Sequence, residues 1–182
     1  MKRKKLVTFL LLLIISFLLF SLSSIKLVKT SERKNDNSLS LSLKEKVVEE
    51  TKGMDMEQII DYSLSLTDSE LRFAVMNDID NGKANCVGYA QLCSAICNQA
   101  LSTNGIEGSA RPVVGYVESN GINWCQVLKA IAPKTSYKNF VKDHDFVELT
   151  AGSRRYYFDP SIYDVLRKKC LTLTNKKADN NG

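Results

Sequence analysis

The sequence contains a single histidine, His144, and its five cysteines include no Cys-x-x-Cys pair. A structural zinc site needs four ligands arranged around the ion, usually supplied by such pairs together with histidines. Three of the cysteines, Cys86, Cys93 and Cys97, lie along one helical segment, and a stripe on one helix cannot surround an ion. We therefore expect no metal site, and the sequence implies no organic cofactor.

The chain also lacks an excess of basic residues outside its N-terminal tip. The net charge is +5, but four of the 25 basic residues are Lys2, Arg3, Lys4 and Lys5. Without these four, 21 basic residues face 20 acidic ones, which leaves a net charge of +1. A nucleic-acid-binding domain carries its basic excess on its folded surface, so we expect no nucleic-acid partner.

The basic tip is followed by an uncharged run rich in Leu, Ile and Phe, residues 6–25. As a helix this run would extend roughly 30 Å, the thickness of a bilayer's hydrocarbon core. Residues 1–28 are predicted to be a transmembrane anchor that leaves the C-terminal domain outside the cell membrane. The alternative is a signal peptide cleaved within "SLSSIKL", which would give a secreted protein. No cysteine precedes Cys86, so a lipoprotein cleavage site is excluded.

Composition divides the rest of the chain into three parts. Residues 29–45 are polar, lack aromatic side chains and are predicted to form a stalk. Residues 46–169 form the predicted domain, and residues 170–182 form a polar tail. Helical spacing of apolar residues extends over 47–73, with a possible new helix start at "TDSEL" (67–71), and a second pattern covers 86–101. Strands are predicted over 110–118, 121–132, 144–150 and 154–159. Helices followed by antiparallel strands indicate the α+β class.

The cysteine-rich segment is predicted to be an amphipathic helix that begins at Cys86, with Asn85 as its N-cap. A disulfide between Cys93 and Cys97 is not expected, because helical i, i+4 neighbours hold their Cβ atoms ~5–6 Å apart and a disulfide needs ~3.5–4.5 Å. The sequence leaves open a disulfide from Cys125 or Cys170 to Cys93 or Cys97. One face of the helix is expected to be buried: Tyr89, Ala90, Cys93, Ile96, Cys97 and Ala100.

Cys86 differs from the other thiols because it occupies the first turn of this helix. The unpaired N–H groups and the macrodipole of a helix N-terminus stabilise negative charge. The thiolate is the reactive form of cysteine, so Cys86 is the candidate nucleophile. A catalytic role also requires a base that takes the proton of the thiol.

The strand pattern suggests how His144 could gain a carboxylate partner. If Ala151 and Gly152 form a two-residue turn, His144 faces Asp159 across the hairpin. Facing residues hold their Cβ atoms ~4.5–5.5 Å apart, so the carboxylate could bond the imidazole, whereas a bulge or longer loop would shift this register. The same register pairs Phe146 with Tyr157 and Glu148 with Arg155 on the same face.

Two stretches together resemble a known family. "CVGYAQLCSAICNQALSTNGIEGSARPVVGYV" resembles the cysteine segment of the transglutaminase-like superfamily, and "HDFVEL…RRYYFDPS" resembles its histidine and aspartate segments, over roughly residues 55–165. The resemblance implies a papain-like fold, in which the cysteine helix packs on an antiparallel sheet. It implies that Cys86 is the nucleophile, His144 the base and Asp159 the orienting carboxylate, meeting in a cleft. Phe146 stands where the family usually has Trp, and Ala84 where it often has Gly.

The resemblance further implies an enzyme that acts on amide or peptide bonds of a protein or peptide substrate through a thioester. Hydrolysis, deamidation and transamidation all stay open. The alternative is a catalytically inactive transglutaminase-like module that binds or scaffolds at the cell surface. The backbone N–H of Cys86 is one candidate oxyanion donor, and the side chains of Gln58 and Trp124 are candidates for a second.

Overall fold

The computed structural model describes residues 25–34, 38–74, 81–131, 143–167 and 169–175. These residues form a mixed fold of helices and antiparallel strands, which confirms the predicted α+β class. The helices are α1 (Leu41–Glu50), α2 (Met56–Glu70), α3 (Cys86–Thr103), α4 (Trp124–Ile131) and α5 (Pro160–Leu166). The strands are β1 (Ile25–Glu32), β2 (Arg72–Phe73), β3 (Lys83–Ala84), β4 (Ser109–Ser119), β5 (Ile122–Asn123), β6 (His144–Ala151), β7 (Arg154–Phe158) and β8 (Leu171–Asn175).

Six of the strands form one antiparallel sheet. Its order is β1-β4-β6-β7-β8, and β5 pairs with β4 beside this path. The sheet curls so that its two edge strands, β1 and β8, approach each other. The Leu27 N–H on β1 donates to Thr172 Oγ1 on β8 at 3.4 Å. The short strands β2 and β3 pair in parallel, separately from the main sheet.

Strand β6 is buried on both of its faces. Val147 and Leu149 pack with the helices in the main hydrophobic core. Phe146, which alternates with them, packs with Leu27 and Val113 on the opposite face of the sheet. Side chains alternate along a strand, so one strand serves both cores. The larger core joins residues of α1, α2 and α3 to the sheet: Val47, Ile59, Ile60, Leu64, Ala90, Cys93, Ile96, Cys97, Val147, Leu149 and Phe158.

Helix α3 has the start, the buried face and the end that the sequence predicts. Its N-cap is Asn85, whose Oδ1 accepts a bond from the Val87 N–H at 3.0 Å. The helix ends at Thr103, and Gly105 follows with a φ of +61° that favours glycine. All six residues of the predicted buried face are fully buried: Tyr89, Ala90, Cys93, Ile96, Cys97 and Ala100. None of the five cysteines is in a disulfide, so neither Cys125 nor Cys170 forms a bridge.

The N-terminal part of the described chain differs from the predicted anchor and stalk. Residues 25–32 form β1, which pairs with β4 and buries Leu27. Residues 41–50 form α1, which begins at a Ser40 N-cap and buries Val47. Neither segment is a polar linker, because each buries an apolar side chain against the domain.

The prediction of a transmembrane helix needs correction. Within the described ranges, no helix is both long enough and apolar enough to cross a bilayer. Ile25, the last residue of the predicted span, instead opens β1. The preceding residues of that span, 6–24, lie outside the described part of the chain.

Three other predictions of local structure are wrong. Thr67 does not cap a new helix but continues α2, and its hydroxyl donates to the Ser63 carbonyl. Residues 124–131 form helix α4 rather than a strand, with the Gln126 N–H bonded to Asn123 Oδ1. Residues 171–175 belong to β8 and not to a polar tail, because they pair with β7 along their whole length.

A charged cluster inside the curl of the sheet joins four neighbouring strands. Glu148 on β6 is fully buried. It accepts hydrogen bonds from Lys29 Nζ on β1 at 2.8 Å, from Arg111 Nε on β4 at 2.8 Å and from the Tyr157 hydroxyl on β7 at 2.9 Å. Burial raises the pKa of Glu148, but the bonds from Lys29, Arg111 and Tyr157 outweigh it, so the net pKa is lowered. The carboxylate therefore stays ionised and fixes β1 relative to β6.

Gly115 on β4 is predicted to tolerate no side chain. A Cβ atom there would lie 2.1 Å from the Val28 carbonyl oxygen and 2.8 Å from Phe146 Cε1. We expect Gly115→Ala to lower the free energy of unfolding by about 3 kcal/mol or more, because backbone must move to make room. Gly53→Ala is the control: its Cβ would meet nothing within 4 Å, and its positive φ alone costs about 1–2 kcal/mol. Equal costs in urea denaturation would contradict this prediction.

Candidate functional site

The structure brings Cys86, His144 and Asp159 together. Cys86 is the first residue of α3, His144 is the first residue of β6, and Asp159 follows the last residue of β7. Asp159 Oδ2 is hydrogen-bonded to His144 Nε2, and Cys86 lies close enough to the imidazole to help raise the pKa of His144. Since Nε2 is engaged by the carboxylate, Nδ1 is the ring nitrogen left for the thiol. The three groups thus form a chain of thiol, imidazole and carboxylate.

The hairpin that carries His144 and Asp159 has a different register from the predicted one. Thr150 pairs with Arg155 and Ala151 with Arg154, so the turn is Gly152-Ser153. Gly152 has a φ of +58°, which suits glycine at the first turn position. The predicted direct pairing of His144 with Asp159 is therefore wrong by two residues.

The two residues meet nevertheless, because Asp159 lies just beyond the end of the ladder. The last pair of the ladder joins Val147 to Phe158, and Asp159 then turns away to cap α5. A shift of two residues keeps every side chain on its original face of the sheet. The predicted neighbours Phe146 and Tyr157 accordingly remain in contact, with ring centroids 5.9 Å apart in an edge-to-face arrangement. The predicted pairing of Glu148 with Arg155 is replaced by Tyr157 opposite Glu148.

Asp159 is fully buried, and its two carboxylate oxygens have separate partners. Oδ2 bonds His144. Oδ1 accepts bonds from the Ser161 N–H at 2.9 Å, the Ser161 hydroxyl at 2.7 Å and the Ile162 N–H at 2.9 Å. The side chain thus serves as the N-cap of α5 and as the support of the imidazole. A carboxylate held by three donors on one oxygen cannot rotate, so it fixes the ring.

The imidazole and the carboxylate stabilise each other's charge. Burial lowers the pKa of His144, but the charge and hydrogen bond of Asp159, together with Cys86, outweigh it and leave the pKa well above its ordinary value. Burial raises the pKa of Asp159, but His144 and the donors at the start of α5 outweigh it, and the net pKa is lowered. At neutral pH the pair is therefore an imidazolium and a carboxylate.

The sequence resemblance implies that the three residues meet in a cleft, but the structure leaves little of Cys86 exposed. Only 9% of the Cys86 surface is exposed, and the side chain of His144 is 18% exposed. A substrate carbonyl can reach the sulfur only through a small opening or after a local displacement of the residues that cover it.

The remaining thiols and one of the predicted oxyanion donors lie in other environments. Cys93 and Cys97 are fully buried in the core, and burial raises the pKa of Cys97 to about 12.

Gln58 completes a capping box with Asp55 at the start of α2, where its Oε1 accepts a hydrogen bond from the Asp55 N–H at 2.9 Å. Its side chain is thus used in helix capping, which argues against the predicted role as an oxyanion donor.

The sequence did not predict two further residues at this end of β6. Asp145 directly follows His144 and is 1% exposed, and Arg33 binds it through Nε at 2.5 Å and through Nη2 at 2.6 Å. Arg33 lies in the segment predicted to be a stalk, so the sequence provided no reason to place it near His144. The signal that could have found the pair is the charged Asp145 inside a strand that is otherwise apolar on its helix-facing side.

Comparison with known proteins adds nothing to this picture: no family model, no curated protein and no solved structure matches the chain.

The His144–Asp159 pair is expected to make stability depend on pH. The native protein holds the His144 proton more tightly than the unfolded chain does, so this stabilisation is complete below about pH 6.5 and is lost as pH rises towards the raised native pKa. We expect the Cys86→Ala protein to lose up to about 1.4 kcal/mol per pH unit above pH 6.5, relative to Cys86→Ala/His144→Asn. Below about pH 4 the Asp159 contribution disappears in turn, because its native pKa is lowered.

Urea unfolding of both proteins between pH 5.5 and 8.5 measures this difference. The Cys86→Ala background removes the thiol, so that only the imidazole distinguishes the two. Parallel stability curves over this range would show that the imidazole is not held in its charged form.

Proposed function

We propose that this protein is a cysteine enzyme of the transglutaminase-like type that acts on amide or peptide bonds of a peptide or protein through a thioester. The observation that carries the proposal is the linked chain of Cys86, His144 and Asp159 at the N-terminus of a buried helix. A thiol, an imidazole beside it and a carboxylate that orients the imidazole are the parts of a Cys-His-Asp relay.

The placement of the three residues also supports a papain-like arrangement. The helix that begins with Cys86 packs on the antiparallel sheet, and the sheet supplies His144 from the start of one strand and Asp159 from the end of the next. Their order along the chain is the order expected from the sequence resemblance. We infer that the curled sheet and α3 correspond to the papain-like core.

The proposed reaction has two steps. The Cys86 thiolate attacks the carbonyl carbon of an amide, and the developing oxyanion accepts a bond from the backbone N–H at the start of α3. The C–N bond breaks as the His144 imidazolium gives its proton to the leaving amine, which leaves a thioester on Cys86. Water or a second amine then attacks the thioester, His144 takes its proton, and the thiolate is released.

Water as the second nucleophile gives hydrolysis of a peptide bond or deamidation of a side-chain amide. An amine gives transamidation, in which a new amide bond replaces the old one. The same residues serve both outcomes, and the choice depends on which nucleophile reaches the thioester.

The 9% exposure of Cys86 favours one alternative function, that of a catalytically inactive binding or scaffolding module. A module in which the three residues are retained only as packing would also bury the thiol, and such a protein would bind or scaffold without catalysis. The two functions differ in the reactivity of the sulfur, which can be measured without knowing the substrate.

We expect iodoacetamide at pH 6 to label Cys86 more than about tenfold faster than Cys125, because an adjacent imidazole activates a thiol as a nucleophile. Cys125 is the internal reference, since it is the free thiol with intermediate exposure, whereas the other four are buried. His144→Ala should remove the selectivity at Cys86 and leave the labelling of Cys125 unchanged. Peptide mass spectrometry over time gives both rates. Slow labelling of both thiols alike would favour the inactive module.

Asp159→Asn is expected to abolish catalysis while the fold survives. The three donors on Oδ1 require an oxygen there, so the new amide NH2 must replace Oδ2 beside His144 Nε2. A donor at this position forces Nε2 to become the acceptor and moves the ring proton to Nδ1, where it blocks transfer from the thiol. We expect the rate of amide cleavage to fall by a factor on the order of 10³–10⁴, by analogy with the serine triad, and Cys86 to lose its selective alkylation.

Asp159→Asn should lose the stabilisation of the ion pair with His144 but keep that of the helix cap, because Asn caps a helix about as well as Asp. Asp159→Ala is the comparison, since it loses both the cap and the imidazole support and should be less stable. If Asp159→Asn kept its rate, the carboxylate would have no part in orienting the imidazole.

A further inference from the structure

Arg33 and Asp145 form an ion pair at the end of β6 that carries His144, and the Cys-His-Asp mechanism does not use this pair. Asp145 follows His144 on β6, and its carboxylate receives two parallel bonds from Arg33, from Nε at 2.5 Å and from Nη2 at 2.6 Å. Such a two-bond pair fixes the orientation of a guanidinium as well as its position. Arg33 follows the last residue of β1, so its backbone is held by the sheet.

The two partners differ in their exposure to solvent. Asp145 is 1% exposed, whereas the side chain of Arg33 is 32% exposed. An incoming molecule therefore meets the cation and not the carboxylate. Asp145 uses two of the five N–H donors that a guanidinium carries, and the outer edge of such a group can bind a second carboxylate in the same way.

The pKa of Arg33 reflects the charged groups that lie around it. The bonds from Asp145 do most to raise the pKa of Arg33, burial opposes them, and the negative charges of Asp145, Asp143 and Cys86 add to the rise. Asp143 contributes less than Asp145. The ion pair and His144 thus lie at the same end of β6, and Cys86 is among the groups near Arg33.

We propose that Arg33 recognises an anionic group of the acyl donor, so that the site prefers amides that lie close to a carboxylate. This inference rests on the proposed function, because it assigns the substrate class of the same site. The carboxylate could be the free C-terminus of a peptide or an acidic side chain next to the reacting amide. Arg33 is thus a binding residue for the substrate, and Asp145 is the positioning residue that orients it.

The charge of the alkylating reagent tests this inference without a known substrate. Iodoacetate and iodoacetamide have the same reactive carbon, but only iodoacetate carries a carboxylate. We expect Arg33→Gln to lower the ratio of the iodoacetate rate to the iodoacetamide rate at Cys86 by on the order of tenfold. Arg33→Lys should keep most of the ratio, because it keeps the positive charge. Arg154→Gln, which removes an exposed arginine at the opposite end of β7, should leave the ratio unchanged.

A second variant guards against loss of folding, because Arg33→Gln leaves a buried carboxylate without its cation. In Arg33→Gln/Asp145→Asn both charges are removed and two hydrogen-bonding amides remain. The ratio should fall in this variant as it does in Arg33→Gln. An unchanged ratio in both variants would overturn the role of Arg33 even where iodoacetamide still labels Cys86 selectively, so the proposed function would survive that result.

Three peptides separate the two possible sources of the carboxylate through their protection of Cys86 against iodoacetamide. N-acetyl-Gln-Gly has a free C-terminal carboxylate, N-acetyl-Glu-Gly-amide has only an acidic side chain, and N-acetyl-Gln-Gly-amide is neutral. We expect at least one acidic peptide to slow the labelling several-fold more than the neutral peptide, in the wild type and not in Arg33→Gln. Equal protection by all three would contradict the inference.

Discussion

The buried carboxylate of Asp159 is the group on which the arrangement of the site depends. One of its oxygens starts helix α5 through three donors, and the other holds the imidazole of His144. A buried charge is tolerated only where hydrogen bonds and an opposite charge replace its hydration. The helix start therefore makes it possible to bury a carboxylate behind the imidazole, and the carboxylate in turn keeps the ring charged and oriented toward Cys86.

The sheet extends this arrangement with two further buried carboxylates on β6. Glu148 ties β6 to β1, β4 and β7 through Lys29, Arg111 and Tyr157. Asp145 binds Arg33, just beyond β1, and so brings a cation to the end of β6 where His144 lies. β1 is thus attached to β6 at two points across β4, and the N-terminal strand takes part in the surroundings of the site.

Local patterns along the chain were sufficient for much of the fold. Helix α3 could be predicted from its Asn85 cap and its apolar spacing, and strands β4, β6 and β7 from their β-branched and aromatic residues. Long-range pairing explains the failures. Residues 25–32 were divided between the predicted anchor and the predicted stalk, yet they pair with β4, far along the chain. Residues 171–175 were assigned to a polar tail, yet they pair with β7 across the intervening α5. Residues 124–131 contain both strand-forming residues and helical spacing, and the Asn123 cap decides for the helix.

The sequence alone determined which groups are chemically special: one thiol at a helix start, one imidazole, and one carboxylate before a proline. These follow from local rules, because a cap, a helix end and a proline act on their immediate neighbours. The tertiary structure decided how the groups meet. The hairpin register, the double use of Asp159 and the pairing of Arg33 with Asp145 depend on which buried charge finds which partner. Arg33 and Asp145, for example, are 112 residues apart, and neither segment by itself identifies its partner.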